Sequence, residues 1–532
     1  MIKIYSLLFV LTIFSIHVNC QNSIYKSYNN EDSWKDYANC AKPTSDGGII
    51  IAGSMTDVNG LNRFGLLLKL DSASNILWSK TFDPGNICEF FSIEITSEND
   101  FLLIGTVGTD FLNPYGTLVV KTDSMGNVKW SKTFEGYEAL SSCSISDKGF
   151  LICGQTLRTT GTGGKSVVNV TKIDSSGNLV WINSYGGLPD TTGEVGFAIA
   201  EAGDHGIIVT GVTYSFGSVN GAIFLIKTDS VGTFEWAKTY DGIIPGNLSY
   251  DGGYSILSTP DSGFIFTGTG SNDPWGENAI LVKTDKNGNI LWAKSISEIS
   301  PGGNSGNYAY GQKIISVDSG FVVLMNDFTT TVHTIIKTDT SGNLIWGKSF
   351  HNSPGEFDFS YSVWQSGVSD FTIVMNSNTN NNDICLIKTN DLPDSCSNSS
   401  ITISNAVYNP VVADVIFVQE ELFEEDTVFT FVTDVIFSDS IICPNALPTS
   451  INESVMNDNF LFNIYPNPAS TKLMIETDSN GRITVYDLLG RAMEIKTVWG
   501  YSKGKVELDL SKYPSGIYFV RVGNSVRKFI KK

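Results

Sequence analysis

Three histidines lie outside the apolar N-terminus, His205, His333 and His351, and no nucleophile or ligand motif accompanies them. The chain has no His-x-x-x-His, Cys-x-x-Cys, Walker loop or G-x-S-x-G, so no catalytic residue, metal or cofactor is predicted. Two other kinds of residue could do chemistry. Asp110, Asp251, Glu277 and Asp358 fall in variable connections, where two carboxyl groups held a fixed distance apart would serve acid–base cleavage of a polysaccharide. Trp34, Tyr37, Phe90, Tyr115, Tyr137, Trp275, Tyr310 and Phe359 fall in the same connections among Asn, Asp and Gly. That mixture suits stacking on sugar rings or recognising a protein. The leading expectation is therefore a non-enzymatic binding protein. An extracellular polysaccharide-acting enzyme and a ligand-free surface scaffold are the alternatives.

The elements that must position these residues come from a repeat. "VVKTDSMGNVKWSKTF" at 119–134 returns as "LVKTDKNGNILWAKSI" and "IIKTDTSGNLIWGKSF". Its lysine recurs at Lys69, Lys121, Lys172, Lys227, Lys283, Lys337 and Lys388, at intervals of 51 to 56 residues. A second phrase, "DGGIIIAG" at 46 or "DSGFIFTG" at 261, precedes each copy. Alternation of period two marks four strands per unit, a to d. Val128, Trp130 and Phe134 share one face of a strand d, and Lys132 extends its stem along that apolar side.

Seven such units predict an all-β chain whose main body, residues 21–391, is a seven-bladed β-propeller. The seventh unit lacks its "GNxxW" strand, and "SIYKSY" at 23–28 matches the missing piece, so the N-terminal strand is expected to close the ring. Asp123, Asp174, Asp229, Asp285 and Asp339 recur at one turn of separate units, which reads as turn capping and not as a calcium cage. Trp78, Trp130, Trp181, Trp236, Trp292 and Trp346 are expected to dock between blades. The a-to-b and c-to-d turns are short and uniform, whereas the opposite connections vary and carry the candidate aromatics.

The D-x-x-G-x-x-x-W spacing resembles, one residue shorter, the tryptophan-docking repeat of quinoprotein propellers. The DGG and KTD phrases also resemble a broad group of secreted bacterial repeat proteins. Ser74 departs from the pattern at a turn glycine, Thr233 at an Asn, and Asn183 at the strand-d lysine.

Export is written at both ends. Lys3, the apolar run Ile4 to Ile16, and Val18 and Cys20 before Gln21 predict a signal peptide over 1–20, too short to span a bilayer. No transmembrane segment is predicted elsewhere. Lys plus Arg number 35 against 55 Asp plus Glu, a formal charge of -20, which disfavours nucleic-acid partners. Residues 451–532 nevertheless hold twelve basic and eight acidic residues, marking a separate domain.

Between Lys388 and Lys472 there is no basic residue, and 392–450 reads as a small acidic β stem and linker. Cys396 and Cys443 bracket it and are the predicted disulfide. From 461 the short alternating strands predict an Ig-like β-sandwich. "YPNP" (Tyr465, Pro466, Asn467, Pro468), "VYDLLGR" with Gly490 and Arg491, "LDLSKYPSGIYFVRV" with Gly516, and the ending Lys531-Lys532 closely resemble the type A C-terminal sorting domain of the type IX secretion system. The resemblance implies passage through the outer membrane of a Gram-negative bacterium by the secretion machinery. It also implies removal of the domain by a surface sortase, leaving the cargo secreted or anchored at the surface.

Overall fold

Alternating apolar residues broken by Asp-x-x-Gly turns leave little that could coil, and every secondary element of the computed structural model is a β-strand among the described residues. It describes residues 24–390 apart from 30–32, 58, 61, 85–86, 109–113, 161–162, 188–192, 217–219, 242–250, 274–275, 300–308, 328–331, 352–359, 368–369 and 378–382. It further describes the strands between 402 and 441, and residues 462–532 apart from 478–480, 488–491, 499–503 and 523–524. The chain divides into two compact units, Met1–Leu447 and Pro448–Lys532.

The first unit repeats one antiparallel meander. In sheet one, strands a to d are Ser33–Pro43, Ile49–Asp57, Arg63–Leu70 and Ile76–Asp83. Sheets two to six follow the same plan over 87–134, 138–186, 194–241, 252–299 and 309–351. In sheet seven, strands a to c span 360–390, and strand d is Ile24–Asn29, paired antiparallel with Asp383–Asn390. The register sets Ile24 opposite Lys388, where the other sheets set a tryptophan opposite the strand-c lysine, as Trp130 opposite Lys121.

Packing follows chain order. Strand a of each sheet lies against strand a of the next, and that of sheet one lies also against that of sheet seven, a propeller-like arrangement. Polar stitches secure the last contact: the Ala38 N–H donates to Asn376 Oδ1 at 2.7 Å and the Ala41 N–H to Ser362 Oγ at 2.9 Å. Tyr28, Ala38, Ile51, Val374 and Leu386 bury one another in the same place. Clusters of this kind lie between neighbouring sheets, so burying each sheet's face depends on its neighbour.

Both repeated phrases are explained by local bonds. At the c-to-d turn the Asp123 carboxylate accepts from the N–H groups of Met125 and Asn127 and from the Asn127 side chain, each at 2.9 Å. Asp174, Asp285 and Asp339 repeat that pattern on separate sheets. Hydrogen bonds from the Asn343 side chain and backbone hold Asp339 below the usual carboxylate range. The lysine of "KTD" pairs with the aspartate of the preceding a-to-b turn: Lys69 with Asp46 at 3.0 Å, Lys172 with Asp147 at 2.8 Å, Lys227 with Asp204 at 3.0 Å and Lys283 with Asp261 at 2.8 Å. One ion pair thus ties the two phrases together within each of these sheets.

The acidic segment differs from the expected stem. Its strands do not pair with one another. Thr402–Val407 adds antiparallel to strand d of sheet five, Val411–Val415 to that of sheet four, Val418–Leu422 to sheet three, Glu425–Thr427 to sheet two, Phe431–Asp434 to sheet one, and Ser438–Ile441 to Ile24–Asn29 of sheet seven. The physical reason is the edge. A strand d without an outer neighbour leaves a row of N–H and C=O groups unpaired, and the nearest extended segment completes the ladder.

The second unit holds a three-stranded sheet (Phe462–Tyr465, Lys472–Thr477, Gly504–Asp509) and a four-stranded one (Ala492–Val498, Gly481–Asp487, Gly516–Val522, Ser525–Lys531). Leu473, Ile475, Ile483, Val485, Leu508, Tyr518, Val520 and Phe529 form their common core.

Candidate functional site

The residues best placed to meet a ligand arise from one local irregularity repeated in every strand a. Pairing of a with b skips one residue at the same place in each sheet, Asn39, Phe91, Leu140, Phe197, Tyr254, Gln312 and Tyr361, and in sheet one it skips Trp34 as well. Each is a β-bulge, which turns the side chain and sharpens the local twist. The second repeated phrase supplies the room for it. A methyl at Gly105 in strand b would stand 1.9 Å from the Glu89 carbonyl oxygen, and Gly53, Gly154, Gly211 and Gly268 are equally tight against strand a. The glycine ending "IIIAG" or "LLIG" is therefore the seat of the bulge.

All seven bulge residues are half-buried, as are Tyr37, Glu89, Glu138, Val195 and Tyr310 two positions earlier in their strands, while the residues between them are buried. Four bulge residues are aromatic. Tyr254 meets Phe197 at 5.3 Å and Tyr310 at 6.0 Å between ring centroids, so three consecutive strands present one aromatic run. Across sheets one and two the wall is polar. The Glu89 carboxylate accepts from Asn39 Nδ2 at 2.9 Å, from Ser54 Oγ at 3.2 Å and from the Arg63 guanidinium, which lies 5.9 Å from the Tyr37 ring centroid. Burial pushes the Tyr361 phenol up, with the Glu89 charge adding to it. The arrangement offers ring faces beside hydrogen-bonding groups already held in place.

A cavity of about 350 Å³ opens elsewhere, between sheets three and four, lined by Ser146, Asp147, Lys172, Glu201 and His205 with Ile145, Leu151, Ile207 and Val231. Ser146 Oγ donates to Glu201 Oε1 at 2.5 Å, and His205 Nδ1 lies 3.0 Å from Ser146 Oγ and 3.1 Å from Glu201 Oε1. Both contacts fall on one ring nitrogen, whereas a base that activates a hydroxyl needs one nitrogen for the nucleophile and the other for the carboxylate. The cluster latches two turns together.

The sequence-predicted residues scatter. Phe90 is fully buried, edge-on to Phe82 at 5.4 Å, and is core: the bulge sends Phe91, not Phe90, outward. Tyr37, Tyr137 and Tyr310 are half-buried. The side chains of Trp34, Tyr115, Trp275 and Phe359 lie outside the described residues, as do Asp110, Asp358, Cys396, Cys443, Gly490 and Arg491. Asp251 and Glu277, two of the four carboxylates considered for acid–base work, are buried. Sequence reasoning missed the bulge wall, although a signal existed: Asn39, Phe91, Leu140, Phe197 and Tyr254 each stand fourteen residues before the strand-b glycine.

In the second unit, the quoted motifs meet. Asn467 Nδ2 donates to the Lys528 carbonyl at 3.0 Å and Asn467 Oδ1 accepts the Ile530 N–H at 2.9 Å, so "YPNP" grips the last strand. The Ala469 N–H donates to the Ile530 carbonyl at 2.8 Å, and the Lys532 N–H to the Ala469 carbonyl at 2.9 Å. Gly516 pairs with Lys531, and the Tyr465 hydroxyl reaches Glu476 at 3.3 Å. Residues 463–532 match the family described as the secretion system C-terminal sorting domain. The second unit is a type IX sorting domain. The sorting domain marks the chain as a secreted or outer-membrane surface protein and implies contact with the secretion machinery. Among the described residues no helix is long and apolar enough to cross a membrane.

No curated protein shows significant similarity to the chain. Among solved structures it is similar to a protein of unknown function from Dyadobacter fermentans, at 10% identity and TM-score 0.35, covering 69% of this chain and 97% of that one. It is also similar to the Dos1 propeller, at 8% identity and TM-score 0.37 over 68% and 94% of the two chains. Hydrazine synthase of Kuenenia stuttgartiensis follows at 11% identity and TM-score 0.31, over 58% of this chain and 47% of that one.

Proposed function

We propose that residues 24–441 form a seven-bladed β-propeller, delivered outside the cell by the sorting domain, that binds a glycan without acting on it. The observation that carries this reading is the bulge wall: half-buried Phe91, Phe197, Tyr254 and Tyr361 at one position of strands a in sheets two, four, five and seven, with the fixed carboxylate of Glu89 in sheet two. Aromatic faces next to prepaid hydrogen bonds bind sugar rings at small ordering cost. A protein ligand would use the same surface through the variable connections. Burial of Asp251 and Glu277 speaks against the polysaccharide-cleaving alternative, because a general acid and base must reach the scissile bond.

On this reading the signal peptide at 1–20 starts the export route and a surface sortase ends it. The Cys396–Cys443 disulfide belongs to the exported form, which mass spectrometry of the unreduced protein would detect as a joined peptide pair. The decisive experiment is a glycan and cell-wall polysaccharide panel against the full chain and against Tyr254→Ala and Trp275→Ala. Saturable binding weakened about tenfold or more in Tyr254→Ala, with an unchanged thermal midpoint, supports the wall. Loss only in Trp275→Ala moves the site to the connection between Phe264–Asp273 and Gly276–Thr284, and no binding by any form ends the glycan reading.

A further inference from the structure

The acidic segment lies along the rim in a regular way. Its six strands start at 402, 411, 418, 425, 431 and 438, one step of six to nine residues per sheet, and they visit the sheets in the order five, four, three, two, one, seven, against the chain's own order. Register is specific as well. Asp414 stands opposite Lys238, Asp434 opposite Lys80, and Glu421 opposite Asn183, which occupies the lysine position of sheet three. In three of the six sheets a carboxylate residue is thus set directly across from this position, two of them opposite a lysine, while Val407, Thr427 and Ile441 stand opposite Lys294, Lys132 and Lys26. Directly opposed residues on neighbouring strands share a face and interact most strongly.

We propose that the outer edges of these sheets are a recognition surface for extended acidic strands, and that the six strands between Thr402 and Ile441 are a strap that occupies it from within the same chain. This fits the absence of Lys and Arg from the six strap strands, where a basic residue at 414 or 434 would stand across from Lys238 or Lys80 as a like charge. The strap also bears on closure. Ile24–Asn29 is bonded on one side to Asp383–Asn390 and on the other to Ser438–Ile441, so the N-terminal strand is held from both edges. Each strap strand is short, three to six residues, and bonded to its sheet along one edge, the condition for local opening without global unfolding. A strand of the same chemistry supplied by another chain would compete for the opened edge.

Hydrogen exchange of the full-length protein tests this. Glu420→Pro, opposite Ser184, removes a ladder donor and is expected to speed exchange in Leu179–Gly186 about tenfold or more, while Phe150–Thr160 in the same sheet keeps its protection and shows the fold intact. A synthetic peptide of residues 418–427 added to that variant is expected to restore protection. The same peptide with its glutamates and aspartate replaced by lysine is expected to fail. For charge, Asp434→Lys should deprotect Ile76–Asp83, and Lys80→Glu in the same molecule should restore it. Unchanged exchange in Glu420→Pro overturns the strap. Equal rescue by the acidic and basic peptides, or no effect of Asp434→Lys, overturns recognition by charge.

Discussion

The indole of Trp130 fills the space that Gly177 leaves empty: a methyl on Gly177 would stand 2.2 Å from Trp130 Cζ2, and Gly177 holds φ at +81°. Trp78, Trp181, Trp236 and Trp292 meet Gly126, Gly232, Gly288 and Gly342 in the same way, each tryptophan pressing on the turn of the following sheet. Trp346 lies 5.7 Å from Phe371. At the junction of sheets seven and one the pattern changes on both sides at once. Ile24 takes the tryptophan position, and Ser74, with φ at 63°, takes the glycine position.

Gly177→Ala therefore combines strain at positive φ with a clash against a packed ring, and we expect a loss of about 2–4 kcal/mol in denaturant unfolding. Trp130→Ala should cost about 3–5 kcal/mol through the cavity it opens. Ser74→Gly should fall within about 1 kcal/mol of wild type, because Ile24 and not a tryptophan takes the docking position at that junction. A Gly177→Ala variant as stable as wild type would remove the docking argument.

Acid should weaken the sheets through the turn carboxylates. The hydrogen bond from Thr44 and the Lys69 ion pair lower Asp46 to about 2, and Asp261 is lowered to about 2 because its bonds with Lys283 and Thr259 outweigh the opposing effect of burial. A carboxyl whose folded value lies below its ordinary 3.8 stabilises the fold above that value and loses the contribution as pH falls toward 2. Thermal midpoints should thus be flat from pH 7 to 5 and drop between about pH 4 and 2. Asp261→Asn should start lower and fall less steeply across that window, and a parallel curve would rule out this linkage.

Three tyrosines cross the sheet boundaries with their hydroxyls. Tyr28 donates to the Ser74 carbonyl at 2.8 Å, Tyr185 to Gly232 at 2.5 Å and Tyr240 to Gly288 at 2.6 Å. Phe82, Phe134 and Phe350 occupy the same strand position elsewhere, so Tyr240→Phe keeps the shape. Its expected cost is about 1 kcal/mol in chemical unfolding, the net value of one buried hydrogen bond. An unchanged midpoint would show that the Gly288 carbonyl finds another donor.

In the sorting domain Asn467 contributes both a donor and an acceptor to the last strand. Asn467→Ala should loosen Ser525–Lys531, seen as faster exchange in that strand, and reduce the amount of protein reaching the medium or cell surface. Asn467→Asp, which keeps the acceptor and loses the donor, should give an intermediate result. Normal export with a freely exchanging last strand would separate the strand's order from recognition.

How much was legible in the sequence follows from which interactions are local. The Asp-x-x-Gly turns, the Lys–Asp pairs about 23 residues apart and the alternation within strands each involve one unit, and so recur in the sequence with its period. Repetition alone therefore determined the number of four-stranded units and the place of Ile24–Asn29 in the seventh, and the tail motifs determined the route of export. Tertiary structure decided the rest. Whether Phe90 or Phe91 faces outward depends on a one-residue bulge, and a shift of one residue exchanges the two faces of a strand. Where residues 402–441 lie depends on backbone edges that are chemically alike in every sheet. No local pattern names its partner there, and only the assembled rim brings Asp414 across from Lys238 and Asp434 across from Lys80.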